Sequence, residues 1–292
     1  MRLDRFISQR VVHPFCQSGA TNHLPILMYH SISDEVETSV SPYYRTATSP
    51  KIFRQHIQLL KSSGYQAVDL KTAVTALQHG SKEKLAVVTF DDGYRDFYTA
   101  AFPILKEQNF TATMFLPTAF IGSEHRSFKA RECMTWSEVK ELHQAGIHFG
   151  SHTVTHPKLV ELAWPQIKTE LTDSKAEIEK QLGTVADTFA YPFAFPETNK
   201  NFVSRLSETL SEAGYLCNAT TRIGRAKSGD DLMQLKRLPA NSCDDAKLFQ
   251  AKLDGAYDWL APVQSAAKRI KSLLSSSNGR ACPAARTLSA DQ

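Results

Sequence analysis

The sequence predicts an α/β protein built on a parallel sheet, either open or closed into a barrel. Three observations predict it. Segments with strand and helix patterning alternate seven or eight times along the 292 residues. The strand segments are short and mostly apolar, as strands covered on both faces are. No sequence repeat of fixed period runs through the chain.

The elements follow in order. Residues 1–24 are mixed and weakly periodic, an extension before the first strand, Pro25 to Tyr29, which ends on His30. Ser49-Pro50 opens a helix, an N-cap followed by proline at the first helical position. Phe53, Ile57 and Leu60 give that helix one apolar face, and Gly64 stops it. Tyr65 to Leu70 reads as a strand, 71–79 as a short helix, Leu85 to Phe90 as a strand, and 96–109 as a helix despite Pro103. Ala112 to Leu116 is a strand. Thr135 and Glu138 form a capping box for a helix that runs to Gly146. Ile147 to Gly150 is the next strand. An amphipathic helix over 165–182 closes on Gly183. Thr188 to Pro192 is a strand, 201–213 a helix ending at Gly214, and Tyr215 to Thr220 another strand. Leu235 to Leu238 is a possible last strand, and Asp244 to Leu260 a last helix. Beyond Pro262 the chain is rich in Ser, Ala and Lys, a partly helical and then frayed tail.

Bulk composition excludes several classes. Apolar residues make up 42%, enough for a sizeable core. A net charge of +4, from 34 basic and 30 acidic residues, is too small and too scattered for a nucleic-acid binder. Basic residues near both ends (Arg2, Arg5, Arg10; Lys268, Arg269, Lys271) allow a weak contact with an anionic membrane surface. No stretch has transmembrane length, and the first residues lack the apolar run of a secretory signal. Five cysteines with no CxxC spacing point to reduced thiols. A soluble, cytoplasmic protein is expected.

The reactive residues fall at strand ends. Asp91 and Asp92 lie just past Phe90, His152 just past Gly150, and His30 just past Tyr29; Tyr191-Pro192-Phe193 closes a fourth strand. Sites in parallel α/β folds assemble at the carboxyl ends of strands. His152 and His156, spaced H-x3-H, can share a metal ion if the intervening segment turns. Adjacent carboxylates repel, so one of Asp91 and Asp92 would keep a proton unless a cation lies close. If Asp92, His152 and His156 hold that cation, coordination positions stay open, as in catalytic sites, and Asp91 is free to act as a base.

"TFDDGYRDFY", "SHTVTH" and "FAYPFA" resemble successive motifs of the polysaccharide deacetylase family, the NodB-homology or carbohydrate esterase family 4 domain. "PILMYHSI" is similar to the opening of its poly-N-acetylglucosamine deacetylase branch. The likeness spans roughly residues 25 to 240. It implies a distorted (β/α) barrel, often of seven strands, with a divalent metal, usually zinc. The implied organisation is an extension over 1–24, a catalytic domain over 25–262 and a partly disordered tail over 263–292. By position, Asp91 matches the general base; Asp92, His152 and His156 match the metal ligands. Tyr191, Pro192 and Phe193 match the motif lining the sugar groove, with the Phe193 N–H holding the oxyanion. His30 matches the general acid of the branch. Many members carry an arginine that orients the base where Ala190 stands here, and a glycine where Ala194 stands. Arg237 is offered as the substitute for that arginine. Phe195 is the aromatic expected to stack on sugar; Trp164 is a further stacking candidate, and Trp136 and Trp259 are expected to pack in the core. Arg95 is expected to pair with a nearby acid.

The resemblance implies hydrolysis of N-acetyl groups on N-acetylhexosamine glycans or their precursors, with His30 as an imidazolium protonating the departing nitrogen. The same motifs are compatible with an O-acetyl ester or a non-sugar amide as substrate, or with a catalytically silent sugar-binding homologue. A non-haem iron oxygenase would also use two histidines and a carboxylate, but its scaffold is usually β-rich.

Overall fold

The computed structural model describes residues 3–16, 23–42 and 44–263. The expected tail lies outside the described residues from 264 onward.

Apolar strand segments collect into one parallel sheet that closes on itself. Its strands are β1 (Ile26–Tyr29), β2 (Gln66–Ala67), β3 (Leu85–Phe90), β4 (Thr113–Leu116), β5 (His148–Ser151), β6 (Thr188–Ala190), β7 (Cys217–Ile223) and β8 (Leu235–Pro239). The order is β1-β8-β7-β6-β5-β4-β3, and β3 pairs back onto β1, so seven parallel strands form a ring. Ile26 to Tyr29 lie opposite Val87 to Phe90 across the closing seam. The short β2 pairs only with the first residues of β3, outside the ring. The barrel rather than the open sheet is therefore the architecture, and the possible last strand is one of its staves.

Helices α1 (Pro50–Ser62), α2 (Leu70–Gln78), α3 (Phe102–Glu107), α4 (Trp136–Gln144), α5 (Trp164–Leu182), α6 (Lys200–Glu212) and α7 (Ala246–Leu253) accompany the strands. Their starts follow local chemistry. Ser49 Oγ accepts from Ile52 N–H ahead of Pro50. The Thr135–Glu138 capping box is formed in both directions. α5 ends on Gly183 in the left-handed region, φ 67°. One apolar cluster joins barrel residues such as Leu27, Val88 and Phe90 to Phe53, Ile57 and Phe249 of the helices. A second joins Ile26, Val87, Phe115, Ala190, Cys217, Ala219 and Leu235, the opposite face of the same strands, which is the barrel interior.

The helix expected over 96–109 is continuous over 96–107, with Phe97–Ala101 wound as a wide π-type turn that leads into α3, where Pro103, which has no N–H, sits in the first turn. Two other boundaries change. The strand expected to reach Leu70 stops at Ala67, because Asp69 caps α2 by accepting from Thr72 N–H. The last helix runs only to Leu253, and Gly255 follows at φ 91°. Residues Leu3–Phe15 are helical and packed beside α7. Buried Ser8 accepts from Trp259 Nε1 at 3.0 Å, His13 Nε2 lies 2.9 Å from Asp254 Oδ2, and Arg5 pairs with Asp245. Among the described residues, Cys16, Cys133, Cys217 and Cys243 are free thiols. No helix among the described residues is long and apolar enough to cross a membrane.

Candidate active site

Adjacent strand residues point to opposite faces, so two neighbouring acids should part company. The turn after β3 prevents this. Asp91 continues the parity of Val87 and Thr89 into the barrel mouth, its N–H bonded to the Tyr29 carbonyl at 3.1 Å. Asp92 then takes φ 73° and Gly93 φ 66°, which re-aims the second carboxylate to the same mouth. A Cβ at Gly93 would meet only flexible side-chain ends, Ile121 Cδ1 at 2.9 Å, so it is the φ of the turn that calls for glycine. Across the barrel, Gly150 is required by close packing: a Cβ there would sit 2.4 Å from Thr188 Oγ1. The segment after it does not turn helically. Thr153 and His156 both have positive φ, 70° and 56°, and the resulting loop folds the two imidazoles to 4.7 Å between centroids.

Asp92, His152 and His156 converge: one ligand atom from each lies within 4.8 Å of the others. The Nε2 atoms of His156 and His152 stand 3.3 and 3.7 Å from Asp92 Oδ1. That oxygen is buried and has no hydrogen-bond partner, although an orphaned buried acceptor is costly. His152 Nδ1 lies 2.7 Å from the Ala190 carbonyl, which can only accept, so the proton is on Nδ1 and the Nε2 lone pair faces Asp92. Burial pushes the His152 pKa down to about 4, keeping the ring neutral as a metal ligand must be. An oxygen without a donor and two imidazole nitrogens facing it fit a divalent cation. The other Asp92 oxygen is occupied: Tyr94 Oη donates to Oδ2 at 2.9 Å, and Lys129 Nζ lies 3.2 Å from it.

Asp91 is held separately. Arg237, on β8 with no exposed surface, grips it with two parallel bonds, Nη1 to Oδ1 at 2.7 Å and Nη2 to Oδ2 at 2.8 Å. The same guanidinium donates to the Thr220 carbonyl (3.0 Å) and to Thr89 Oγ1 (3.2 Å), which fixes its plane. Arg237, offered as the substitute for the missing arginine, thus contacts Asp91 from within β8. Burial alone would push both carboxylates up. For Asp91 the Arg237 charge, with His152 and His30, reverses that and holds it below the ordinary range. For Asp92 the close approach of His156, then His30, His152 and the Lys129 ammonium, hold it well below. Neither acid of the pair keeps a proton, because each has its own cationic neighbours.

His30 approaches Asp91, Nε2 to Oδ2 at 3.9 Å, with its side chain 22% exposed. Burial lowers its pKa; Asp91 and Asp92 only partly offset this. With its pKa lowered from the ordinary value, the ring is mainly neutral near pH 7 before the reaction begins.

The groove residues divide. Phe193, at φ 60° and 44% exposed, lays its ring 4.6 Å from that of His156. Its carbonyl accepts from Thr221 Oγ1, and its N–H makes no hydrogen bond to the described residues. Tyr191, Pro192 and Phe195 are buried. Phe195 packs edge-on against Tyr191 at 5.1 Å in the cluster under α6, so it is no stacking surface. Its apolar ring is worth more in that core than at the loop surface where the sequence suggested it. Trp136 and Trp259 pack on the core. Trp164 is covered by Arg205, whose guanidinium sits 4.3 Å from the ring centroid. Arg95 pairs with Glu132 and Glu138. No motif in the sequence marks Lys129 or the hairpin Ser127–Phe128/Arg131–Glu132 that carries it.

Comparison with known proteins agrees with this geometry. Residues 78–214 match the family model described as polysaccharide deacetylase. YxkH of Bacillus subtilis (strain 168), assigned to the polysaccharide deacetylases, is 30% identical over 233 residues, 79% of this chain and 76% of that protein. The Streptococcus pyogenes deacetylase PplD, solved in complex with acetate, superposes with a TM-score of 0.68 at 30% identity over 79% of this chain and 98% of that one. The poly-beta-1,6-N-acetyl-D-glucosamine N-deacetylase of Staphylococcus aureus is 27% identical over 164 residues, 53% of this chain and 56% of that enzyme. With the closed parallel barrel and its convergent Asp–His–His mouth, the extent of these matches establishes that the chain belongs to the polysaccharide deacetylase family.

Proposed function

We propose that the protein is a metal-dependent deacetylase that removes N-acetyl groups from N-acetylhexosamine units of a glycan or glycan precursor. The single observation that carries this reading is the division of labour between adjacent acids. Asp92 presents a free oxygen to two imidazoles, while Asp91 is clamped beside it, ionised and outside the ligand triangle.

Asp92, His152 and His156 would hold the cation, with zinc suited to one carboxylate and two imidazoles. When bound, it would polarise the acetyl carbonyl and acidify the attacking water. Asp91 takes the proton of that water; each of its oxygens keeps a lone pair beyond the one given to Arg237. The N–H of Phe193 donates to the developing oxyanion. His30 starts neutral, so it needs a proton before it can act as an acid. Asp91 Oδ2, 3.9 Å away, is the group that has just gained one. Passing it through His30 to the departing nitrogen conserves protons over the whole reaction.

The test is acetate release from N-acetylglucosamine oligomers and from O-acetylated sugars, with and without chelator. Release from the N-acetyl substrates should stop on chelation and return with zinc. Release from esters alone would move the assignment to an O-acetyl esterase, and none from either would overturn it. The role of His30 has its own check. His30→Ala should lower amide hydrolysis on the order of 10²-fold while sparing an ester whose phenolate leaving group needs no proton. Equal losses on both substrates would exclude it as the acid.

A further inference from the structure

The hairpin Ser127–Phe128/Arg131–Glu132 is joined by two residues, Lys129 and Ala130, at φ 49° and 62°. Both central positions of such a turn require positive φ, which glycine and asparagine adopt most readily. A lysine and an alanine there run against turn chemistry, and an outlier of this kind is a pointer to function. The hairpin is nonetheless firmly seated. Arg131 pairs with Glu35 (2.7 Å) and Glu37 (3.1 Å) and donates to Thr46 Oγ1, while the Phe128 ring packs 4.2 Å from that of Phe120. So anchored, the tip places Lys129 Nζ in a three-sided box. Asp92 Oδ2 lies 3.2 Å away, and the Phe128 and Phe193 ring centroids 4.6 and 5.6 Å away. A carboxylate and two aromatic faces are a cation's surroundings.

We propose that Lys129 is a built-in counter-cation of Asp92 that weakens the metal site by opposing the ion across the shared carboxylate. This rests on the metal reading above and concerns the control of that same site. Asp92 is almost fully buried and divides its charge between its two oxygens, one facing the imidazoles and the other facing Lys129. The ammonium already neutralises much of that charge, and a divalent ion arriving at the other oxygen meets a like charge a few ångströms off. Half exposure of the lysine side chain makes the opposition screened and modest rather than prohibitive. Lys129 is therefore a positioning residue that keeps the ion exchangeable; Tyr94, the other donor to Oδ2, carries no charge to oppose it.

Zn²⁺ and Co²⁺ titrations of the full chain against a competing chelator test this. Lys129→Met keeps length and apolar contact with the two rings but removes the charge. It should tighten both ions by about tenfold, the scale of one like-charge opposition under near-water screening. Lys129→Arg should stay within about threefold of the parent because it keeps the charge. The Co²⁺ absorption spectrum should be the same in all three if the ligand set is unchanged. The Met effect should shrink in molar salt. An unchanged or weaker affinity in Lys129→Met would overturn the proposal, as would an Arg variant that tightens as much as Met. Absence of stoichiometric binding in all three proteins would instead overturn the metal reading itself and this proposal with it.

Discussion

Asp91→Asn should reduce acetate release by 10²- to 10⁴-fold, the range for loss of a positioned general base, while the protein still binds one equivalent of metal. The two outcomes separate because the two acids have separate partners. Asp91 contacts Arg237 and approaches His30, whereas the group able to hold the ion is Asp92, His152 and His156. The asparagine also turns an NH₂ donor toward a guanidinium that can only donate. That mismatch should cost about 1–3 kcal/mol of stability, read as a lower melting temperature. Turnover near the parent level with metal retained would remove Asp91 from the base role. Loss of metal together with activity would mean that the two carboxylates are not divided as the geometry indicates.

Arg237→Met should have the second-largest effect, through the ionisation of Asp91. Arg237 is the main charge holding that buried carboxylate below its ordinary pKa. In the parent, Asp91 is depressed, so it contributes stability above the unfolded carboxylate pKa, and that contribution disappears as pH falls through the lower folded value. Without Arg237, burial dominates and the folded pKa moves above the unfolded one. The sign then reverses, and the ionised carboxylate costs stability as pH rises. A base must be deprotonated to work, so the acid limb of kcat/KM should shift to higher pH, with activity partly recovered in alkali. Stranding one member of a buried ion pair costs about 3–5 kcal/mol near neutral pH, so the melting temperature should drop most there and least in acid. An acid limb that stays in place would show that Arg237 does not set the ionisation of the base.

The fold was legible where local chemistry is strong. Ser49-Pro50, the Thr135–Glu138 box and Gly183 punctuate helices through contacts within a few residues, and the apolar runs at β1, β3 and β4 announce buried strands. Boundaries slipped where one residue served two elements: Asp69 was taken by the helix it caps, and Pro103 turned the helix before it into a π-type turn without ending it. Within the site, Asp91, Asp92, His152, His156 and His30 were identifiable because motif spacing and strand ends mark them. Phe195 misled because an aromatic in a polar loop reads the same whether it faces solvent or folds beneath; only packing against Tyr191 chose the latter.

The sequence by itself determined the alternation of elements, the family likeness and the candidate ligands Asp92, His152 and His156, all carried by residues close together in the chain or by short motifs. Tertiary structure alone decided that the sheet closes, that Arg237 reaches Asp91 across 146 positions, and that the tip of a hairpin brings Lys129 to Asp92. The physical reason is that a charge in a sequence has no partner until folding supplies one. Burial then makes the choice of partner decisive, because in a barrel mouth an ionised carboxylate keeps its charge only beside the cations that the other strands and loops deliver.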